Sequence, residues 1–249
     1  MRIEVIRLMA NEVDVWRIDL ARQDRVRQCR SLLSPDEIRR AKRFYFERER
    51  ARFTLARAAM RQILSLYAGI APQELCFGYG SGGKPELCAG LEESGIRFNL
   101  SHSSQLALLA VAQGLTVGVD IEWVNAEFAT EEIAEQFFAA TEIQTLRALP
   151  STQRAQAFFS CWTRKEAYVK ALGKGLSIPL DSFAVAFGPG ISAALLEVKV
   201  DSREVQRWRM YNVEVTEGYK AALVVEGENH QLKNMEWDES RFAEMTTPR

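Results

Sequence analysis

Long apolar runs are missing from this chain. Of its 249 residues, 47% are hydrophobic, yet no run of about eighteen is apolar throughout, so a membrane span is not expected. The opening residues, Met1-Arg2-Ile3-Glu4-Val5-Ile6-Arg7, lack the apolar core of a secretory leader, and a cytoplasmic protein is expected. Cysteine is scarce: Cys29, Cys76, Cys88 and Cys161 form no C-x-x-C pair. They read as reduced thiols rather than a structural zinc site or a disulfide framework. Two histidines leave little room for a histidine-rich metal centre. There is no Gly-x-Ser-x-Gly elbow to support a serine triad. The loop Gly80-Ser81-Gly82-Gly83-Lys84 lacks both the spacing and the following Ser/Thr of a P-loop. Nucleic-acid binding is disfavoured too: the pI is about 6.2 and the arginines have no aromatic interleaving.

What is present is charge sorted by position. Residues 17–61 carry fourteen basic side chains against six acidic ones, whereas residues 120–142 carry seven acidic and no basic ones. The first stretch suits an anionic partner and part of the second suits a cation, although solvated helix faces have the same composition. Within the acidic stretch, Gly118-Val119-Asp120-Ile121-Glu122 reads as a strand, so Asp120 and Glu122 point to one side of a sheet. Further on, the segment running from Trp162 through Glu166 to Lys170 reads as a helix with those three residues a turn apart on one face. Three carboxylates from a strand and a helix can converge on one hard cation and leave sites for phosphate oxygens. A lysine one turn away can then meet the phosphate, a layout fit for metal-assisted phosphoryl-type transfer.

Along the chain, residues 13–19 alternate as a strand. Ser34-Pro35-Asp36-Glu37 opens a helix with a capping box, and helical periodicity continues as two helices to about Tyr67, with Gly69 as the stop. A short strand is expected at 75–79 and further strands at 97–101, 105–112 and 115–123, with Gln113-Gly114 as a hairpin turn between the last two. Thr130, Thr141 and Ser151 each begin a helix, the third ending near Leu172-Gly173. Strands and turns alternate from 178 to 225, and the polar tail after Glu226 is expected to be loosely held. Helices followed by strands occur twice, once on each side of about residue 115. This pattern predicts an α+β fold, not a parallel doubly wound sheet.

These motifs, in this order, resemble the 4′-phosphopantetheinyl transferases, in particular the larger monomeric type that activates surfactin synthetase. The resemblance rests on Gly118 to Glu122, Trp162 to Lys170, Gly83-Lys84-Pro85, and Phe98-Asn99-Leu100-Ser101-His102-Ser103. Gly173-Lys174-Gly175-Leu176, Pro179-Leu180-Asp181-Ser182-Phe183, Phe137-Phe138, Thr141-Glu142, Ser34-Pro35 and Arg43-Phe44-Tyr45 extend it over roughly residues 30 to 225. It implies two similar α/β halves about a pseudo-two-fold axis, with a cofactor cleft between residues 1–115 and residues 116–249. The implied enzyme moves the phosphopantetheine arm of coenzyme A onto a serine of an apo acyl, polyketide or peptidyl carrier protein.

By the same resemblance, Asp120, Glu122 and Glu166 hold Mg²⁺ (or Mn²⁺), and Glu166 and Lys170 serve the chemistry. Ser101 and His102 meet coenzyme A at a phosphate, Lys84 and Pro85 meet its nucleotide end, and Arg40, Arg52 and Thr54 grip its 3′-phosphate. Lys165 lies either near the phosphates or on the surface. Trp162, Phe137 and Phe138 pack, and residues 130–149 contribute to carrier docking. Glu37 departs from the pattern, because close relatives can carry a lysine there, and Arg39 or Arg40 is expected to substitute. Two alternatives stay open: another Mg²⁺-dependent enzyme acting on a nucleotide diphosphate, or an inactive module that binds coenzyme A or a carrier protein.

Overall fold

Apolar alternation and helical periodicity resolve into a chain of mixed helix and strand, in a computed structural model that describes residues 5–238 apart from Ser81 and Ala89. The first half runs β1 (Glu12–Asp19), α1 (Val26–Cys29), α2 (Pro35–Ala41), α3 (Glu47–Ala68), β2 (Phe77–Tyr79), β3 (Pro85–Leu87), β4 (Ile96–Ser103) and β5 (Leu106–Gln113). The second runs β6 (Val117–Trp123), α4 (Glu131–Phe137), α5 (Ala140–Ala148), α6 (Ser151–Leu172), β7 (Phe183–Ala186), β8 (Ala194–Val198), α7 (Glu204–Arg207), β9 (Trp208–Asn212) and β10 (Tyr219–Glu226). A last strand, β11 (Gln231–Glu236), follows.

The two halves repeat one topology. β5 is flanked antiparallel by β1 and β4, and β10 is flanked antiparallel by β6 and β9. Each half has a 22-residue helix, α3 or α6, closed by a left-handed glycine, Gly69 at φ 70° or Gly173 at φ 67°. Only glycine takes that backbone shape without a Cβ penalty. Period-two alternation then sorts each strand between layers. Val13 and Val15 of β1 join Val117, Val119 and Ile121 of β6 in a core between the sheets. Trp16 and Ile18 turn the other way, onto Leu55, Ala59 and Ile63 of α3. Ala222 and Val224 of β10 face Ala167 and Ala171 of α6. The layers therefore stack helix, sheet, sheet, helix.

A buried ion pair is repeated with the fold. Glu37 sits at the third position of α2, accepts from the Ser34 N–H at 3.0 Å, and pairs with Arg61 at 2.6 Å. Glu142 sits at the third position of α5, accepts from the Ala139 N–H at 2.7 Å, and pairs with Lys165 at 2.7 Å. Arg61 and Lys165 are each the fifteenth residue of their long helix. Each also donates to two backbone carbonyls leading into a two-stranded ribbon: Pro72 and Leu75 in one case, Leu180 and the first strand residue, Phe183, in the other. The device ties the short helix, the long helix and the ribbon of each half together.

Three expectations are corrected. β5 and β6 do not form a hairpin: Gly114 does turn, at φ 70°, but both edges of β5 are already taken by β1 and β4, and β6 crosses to the second sheet. The short helix α5 has Ala139 rather than Thr141 at its N-cap, and α6 has Pro150 rather than Ser151. The tail is not loose as far as Glu236. β11 pairs in parallel with β1, and Trp237 follows with its N–H on Arg17 O at 2.9 Å. Residues 231–236 thus belong with the first sheet, not with the half that begins at 116; the tail from residue 239 lies outside the described residues.

Candidate active site

The acidic site lies where the two halves meet, between β6, β4 and α6. Gly118 brings β6 against the helix. A Cβ there would stand 2.1 Å from the Ala167 carbonyl oxygen and 2.3 Å from the Ala171 nitrogen, so any side chain would drive the strand off α6. The alternation that puts Gly118 on α6 puts Asp120 and Glu122 on the same side, toward Glu166 and Lys170. From the other flank, β4 offers Asn99, Ser101 and Ser103 at strand spacing. Asn99 Oδ1 accepts from the Val119 N–H at 2.8 Å, Ser101 Oγ donates to Asp120 at 2.9 Å, and Ser103 Oγ donates to Glu122 at 2.7 Å. Polar side chains therefore bridge two strands that share no backbone ladder.

Asp120 is 1% exposed. Its Oδ1 accepts from Lys170 Nζ at 2.5 Å, while its Oδ2 is buried with no partner. Lys170 Nζ also donates to Ser101 Oγ at 2.8 Å. Burial raises the Asp120 pKa against the pull of Lys170. Burial, then the charge of Asp120, raises Glu122 to about 7. The same two causes raise Glu166, against Lys170. The three carboxylates thus sense one another with a single lysine among them, and an unpaired buried carboxylate oxygen is costly unless a cation completes it. Among the described residues no three His, Cys, Asp or Glu side chains already form a metal cage. The donor set is nevertheless that of a hard, oxygen-binding cation. A cavity of about 250 Å³ opens beside it, lined by Glu166, Lys170, Leu100, Asn99, Gly83, Lys84 and Pro85.

On the first-half side stands a positive group. His102 projects from β4 on the side opposite Ser101 and keeps a solvent-exposed edge. Burial of the ring, then the charges of Lys170, Arg52 and Arg40, lowers its pKa, with Glu49 opposing. Arg52 donates to Glu49 at 2.9 Å, and the Arg40 guanidinium lies over Phe53, 5.6 Å from the ring centre.

Two family models divide the chain at the same joint. One described as 4′-phosphopantetheinyl transferase, N-terminal, matches residues 20–114, and one described as the 4′-phosphopantetheinyl transferase superfamily matches residues 116–224. The 4′-phosphopantetheinyl transferase HetI of Nostoc sp. is 38% identical over 227 residues, 91% of this chain and 92% of that relative. The chain belongs to the 4′-phosphopantetheinyl transferase superfamily. The transferase Sfp of Bacillus subtilis is 32% identical over 155 residues, 62% of this chain and 66% of its own.

Most of the residues predicted for this transferase gather around the cleft, but Lys165 and Thr54 are engaged elsewhere. Lys165 is 0% exposed, so it is neither on the surface nor turned to the cleft: its ammonium is spent on Glu142 and on the Leu180 and Phe183 carbonyls. Thr54 donates to Arg50 O at 2.8 Å and lines a separate cavity of about 320 Å³ between α1, α2 and α3, away from Arg52. Glu37 is engaged by Arg57 and Arg61 inside the first half, which removes it from the nucleotide end altogether. Lys84 does line the cleft, but its Nζ donates to Val117 O at 2.7 Å, and burial lowers its pKa to about 8. Pro85 lines the same cavity. Trp162 packs as expected, stacked on Phe158 and edge-on to Phe137 and Phe128. Asn99 and Ser103 were not singled out, although polar residues at i, i+2 and i+4 of one strand signal a shared face.

Proposed function

We propose that this protein transfers the 4′-phosphopantetheine arm of coenzyme A to a serine hydroxyl of an apo carrier protein, releasing 3′,5′-adenosine bisphosphate, as a cytoplasmic monomer. The observation that carries the site assignment is the buried, unpartnered Asp120 Oδ2 beside Lys170, at the joint of a chain from this superfamily. Asp120, Glu122 and Glu166 would hold Mg²⁺, with Mn²⁺ as a substitute. When bound, the cation supplies positive charge to the pyrophosphate of coenzyme A.

The chain's own residues do the rest. The serine oxygen attacks the phosphorus that bears the arm, and the bond from that phosphorus to the bisphosphate oxygen breaks. Lys170 sets a fixed ammonium beside the phosphates and holds Asp120 in place, so the developing charge meets a preorganised partner. The serine proton passes to a carboxylate of the acidic centre or to a water beside it. Arg40 and Arg52 form the positive side of the cleft that receives the nucleotide phosphates, where guanidinium forks suit phosphate oxygens, and His102 offers a ring N–H donor beside them. Residues 130–149, with exposed acidic side chains and a buried Phe138, form part of the carrier-facing side. Acyl, polyketide and peptidyl carriers are all accepted substrate classes in this reading. Asp120, Glu122, Glu166 and Lys170 are all present, so no lost side chain favours an inactive binding module.

Intact-mass spectrometry tests this directly. Apo acyl and apo peptidyl carrier proteins are incubated with the enzyme, coenzyme A and Mg²⁺, with and without EDTA. A gain of one phosphopantetheine arm that EDTA abolishes is expected, and Asp120→Ala is expected to slow it at least 100-fold without unfolding the chain. No gain on either carrier, or near-normal transfer by Asp120→Ala, would sink the assignment.

A further inference from the structure

The wall of the cleft opposite α6 is built by the link between β2 and β3 and the start of β3, where Gly83, Lys84 and Pro85 lie. Neither large sheet shares a backbone ladder with this ribbon, although Phe77 meets Phe98 of β4 edge-on and Leu87 is buried in the first core. β2 and β3 pair only with each other, over three positions: Phe77 with Leu87, Gly78 with Glu86, and Tyr79 with Pro85. An isolated two-stranded ribbon of that length is marginal in water, so its placement depends on side-chain ties. At its base, Arg61 donates to the Pro72 and Leu75 carbonyls, both at 2.9 Å. Phe77 lies under the guanidinium groups of both Arg57 and Arg61. At the cleft end, Arg57 Nη2 donates to the Tyr79 hydroxyl at 2.9 Å. Arg57 is itself locked on Glu37 at 2.7 Å, and Glu37 is fixed by its place in the first turn of α2. A chain of three side chains thus runs from α2, which bears Arg40, through α3 to the residue paired with Pro85. Further on, Lys84 ties the link to β6, and Gly82 packs so tightly on Gly173 to Gly175 that a Cβ would come within 2.4 Å of the Gly173 carbonyl oxygen.

We propose that Tyr79 is a positioning residue for coenzyme A binding: its hydroxyl, held by Arg57 and Glu37, fixes the Gly83–Pro85 wall at the width that the coenzyme requires. The inference rests on the reading of the cleft as the coenzyme A site. Tyr79 makes no contact with the acidic centre and does not take part in the bond-breaking step. Without its hydroxyl the wall loses its tie to α3 at the cleft end, while those at Phe77 and Lys84 remain, and it samples positions that the coenzyme must reorder on binding, which weakens binding without altering the chemistry of the bound complex.

The test is steady-state transfer to an apo carrier protein, with coenzyme A varied, for the full-length enzyme and Tyr79→Phe. Tyr79 is 45% exposed, and the change removes a single hydroxyl, so the variant folds. The expected result is a roughly three- to tenfold rise in KM for coenzyme A, with kcat within about twofold and an unchanged Tm. An unchanged KM would overturn the proposal, and a lowered Tm with unchanged KM would assign Tyr79 to stability alone and overturn it equally. The unmodified enzyme is the control for the cleft itself. If it transfers nothing, the functional reading fails; if it transfers and Tyr79→Phe matches it, only the role of Tyr79 fails.

Discussion

Asp120 is satisfied on one oxygen and bare on the other, and that asymmetry organises the chemistry around it. Lys170 and Ser101 compete for Oδ1, leaving Oδ2, Glu122 and Glu166 to share whatever positive charge enters. Glu122 carries part of the pH dependence, beside Asp120 and Glu166, which burial raises as well. Its folded pKa of about 7 stands above the ordinary 4.5, so the folded state binds the extra proton between those values. Its contribution therefore favours the fold at low pH and is lost as pH rises through about 7. Cation binding needs the deprotonated form, so on the proposed reading of the site a stabilisation by Mg²⁺ would grow over the same window. At a hundredfold its Kd, Mg²⁺ stabilises by about 2.7 kcal/mol, or roughly 5–10 °C in Tm for a chain of this size. Thermal melts are expected to show that rise at pH 8 and a clearly smaller one at pH 6, and Glu122→Gln should narrow the difference. Equal rises at both pH values in the unmodified protein would remove Glu122 from the cation's partners. The paired acids were legible because strand spacing alone puts Asp120 and Glu122 on one side. That Lys165 and Thr54 face away from their neighbours Glu166 and Arg52 was legible too. Lys165 is adjacent to Glu166 and so is rotated about 100° from it on the helix. Thr54 is two residues from Arg52, a spacing that does not share a face.

At the scale of elements, the decisive contact is β6 on α6. Gly118 exists to make it, since the atoms a Cβ would strike belong to the helix backbone and cannot rotate away. Gly118→Ala should cost about 1–3 kcal/mol as an overpacking change. It should cost transfer far more, because it separates Asp120 and Glu122 from Glu166 and Lys170, and a displacement of about 1 Å can slow a reaction on the order of 100-fold. A denaturation curve and a transfer rate on the same preparation check both parts. A variant that keeps full transfer would show that β6 and α6 need not be in register. The helices and most strands were readable from capping residues and periodicity. The β5–β6 connection was not, because a turn dipeptide specifies a local bend but not whether the edge beyond it is free. The Glu142–Lys165 and Glu37–Arg61 pairs escaped for a related reason: each joins residues more than twenty positions apart, and neither partner advertises its burial.

For the whole molecule, the returning strand matters most. β11 covers the outer edge of β1 and brings Lys233 to Glu12 at 2.7 Å and the Trp237 indole N–H to Gln62 at 3.1 Å. Met235 and Trp237 pack against the first core. Ending the chain before Gln231 should therefore remove roughly 2–4 kcal/mol of apolar burial and bare a strand edge prone to pairing with other copies. A fall in Tm with concentration-dependent association in light scattering is expected; an unchanged, monodisperse protein would show that the edge needs no cover. The doubling of the fold was legible as a rhythm of helices and strands, but the return of the last strand was not, since its residues are polar and alternate weakly.

The doubling is also unequal. By strand register, the places taken in β6 by Asp120 and Glu122 are held in β1 by Trp16 and Ile18, and the helix position of Glu166 is held in α3 by Gln62. Residues 114–116 alone join β5 to β6, so the two sheet faces are presented to each other at an effective concentration that dilution cannot lower. A pair of separate subunits would have to find each other and would present two equivalent clefts. Tethered in one polypeptide, the two copies differ in the face they turn to their long helix: apolar in β1, acidic in β6.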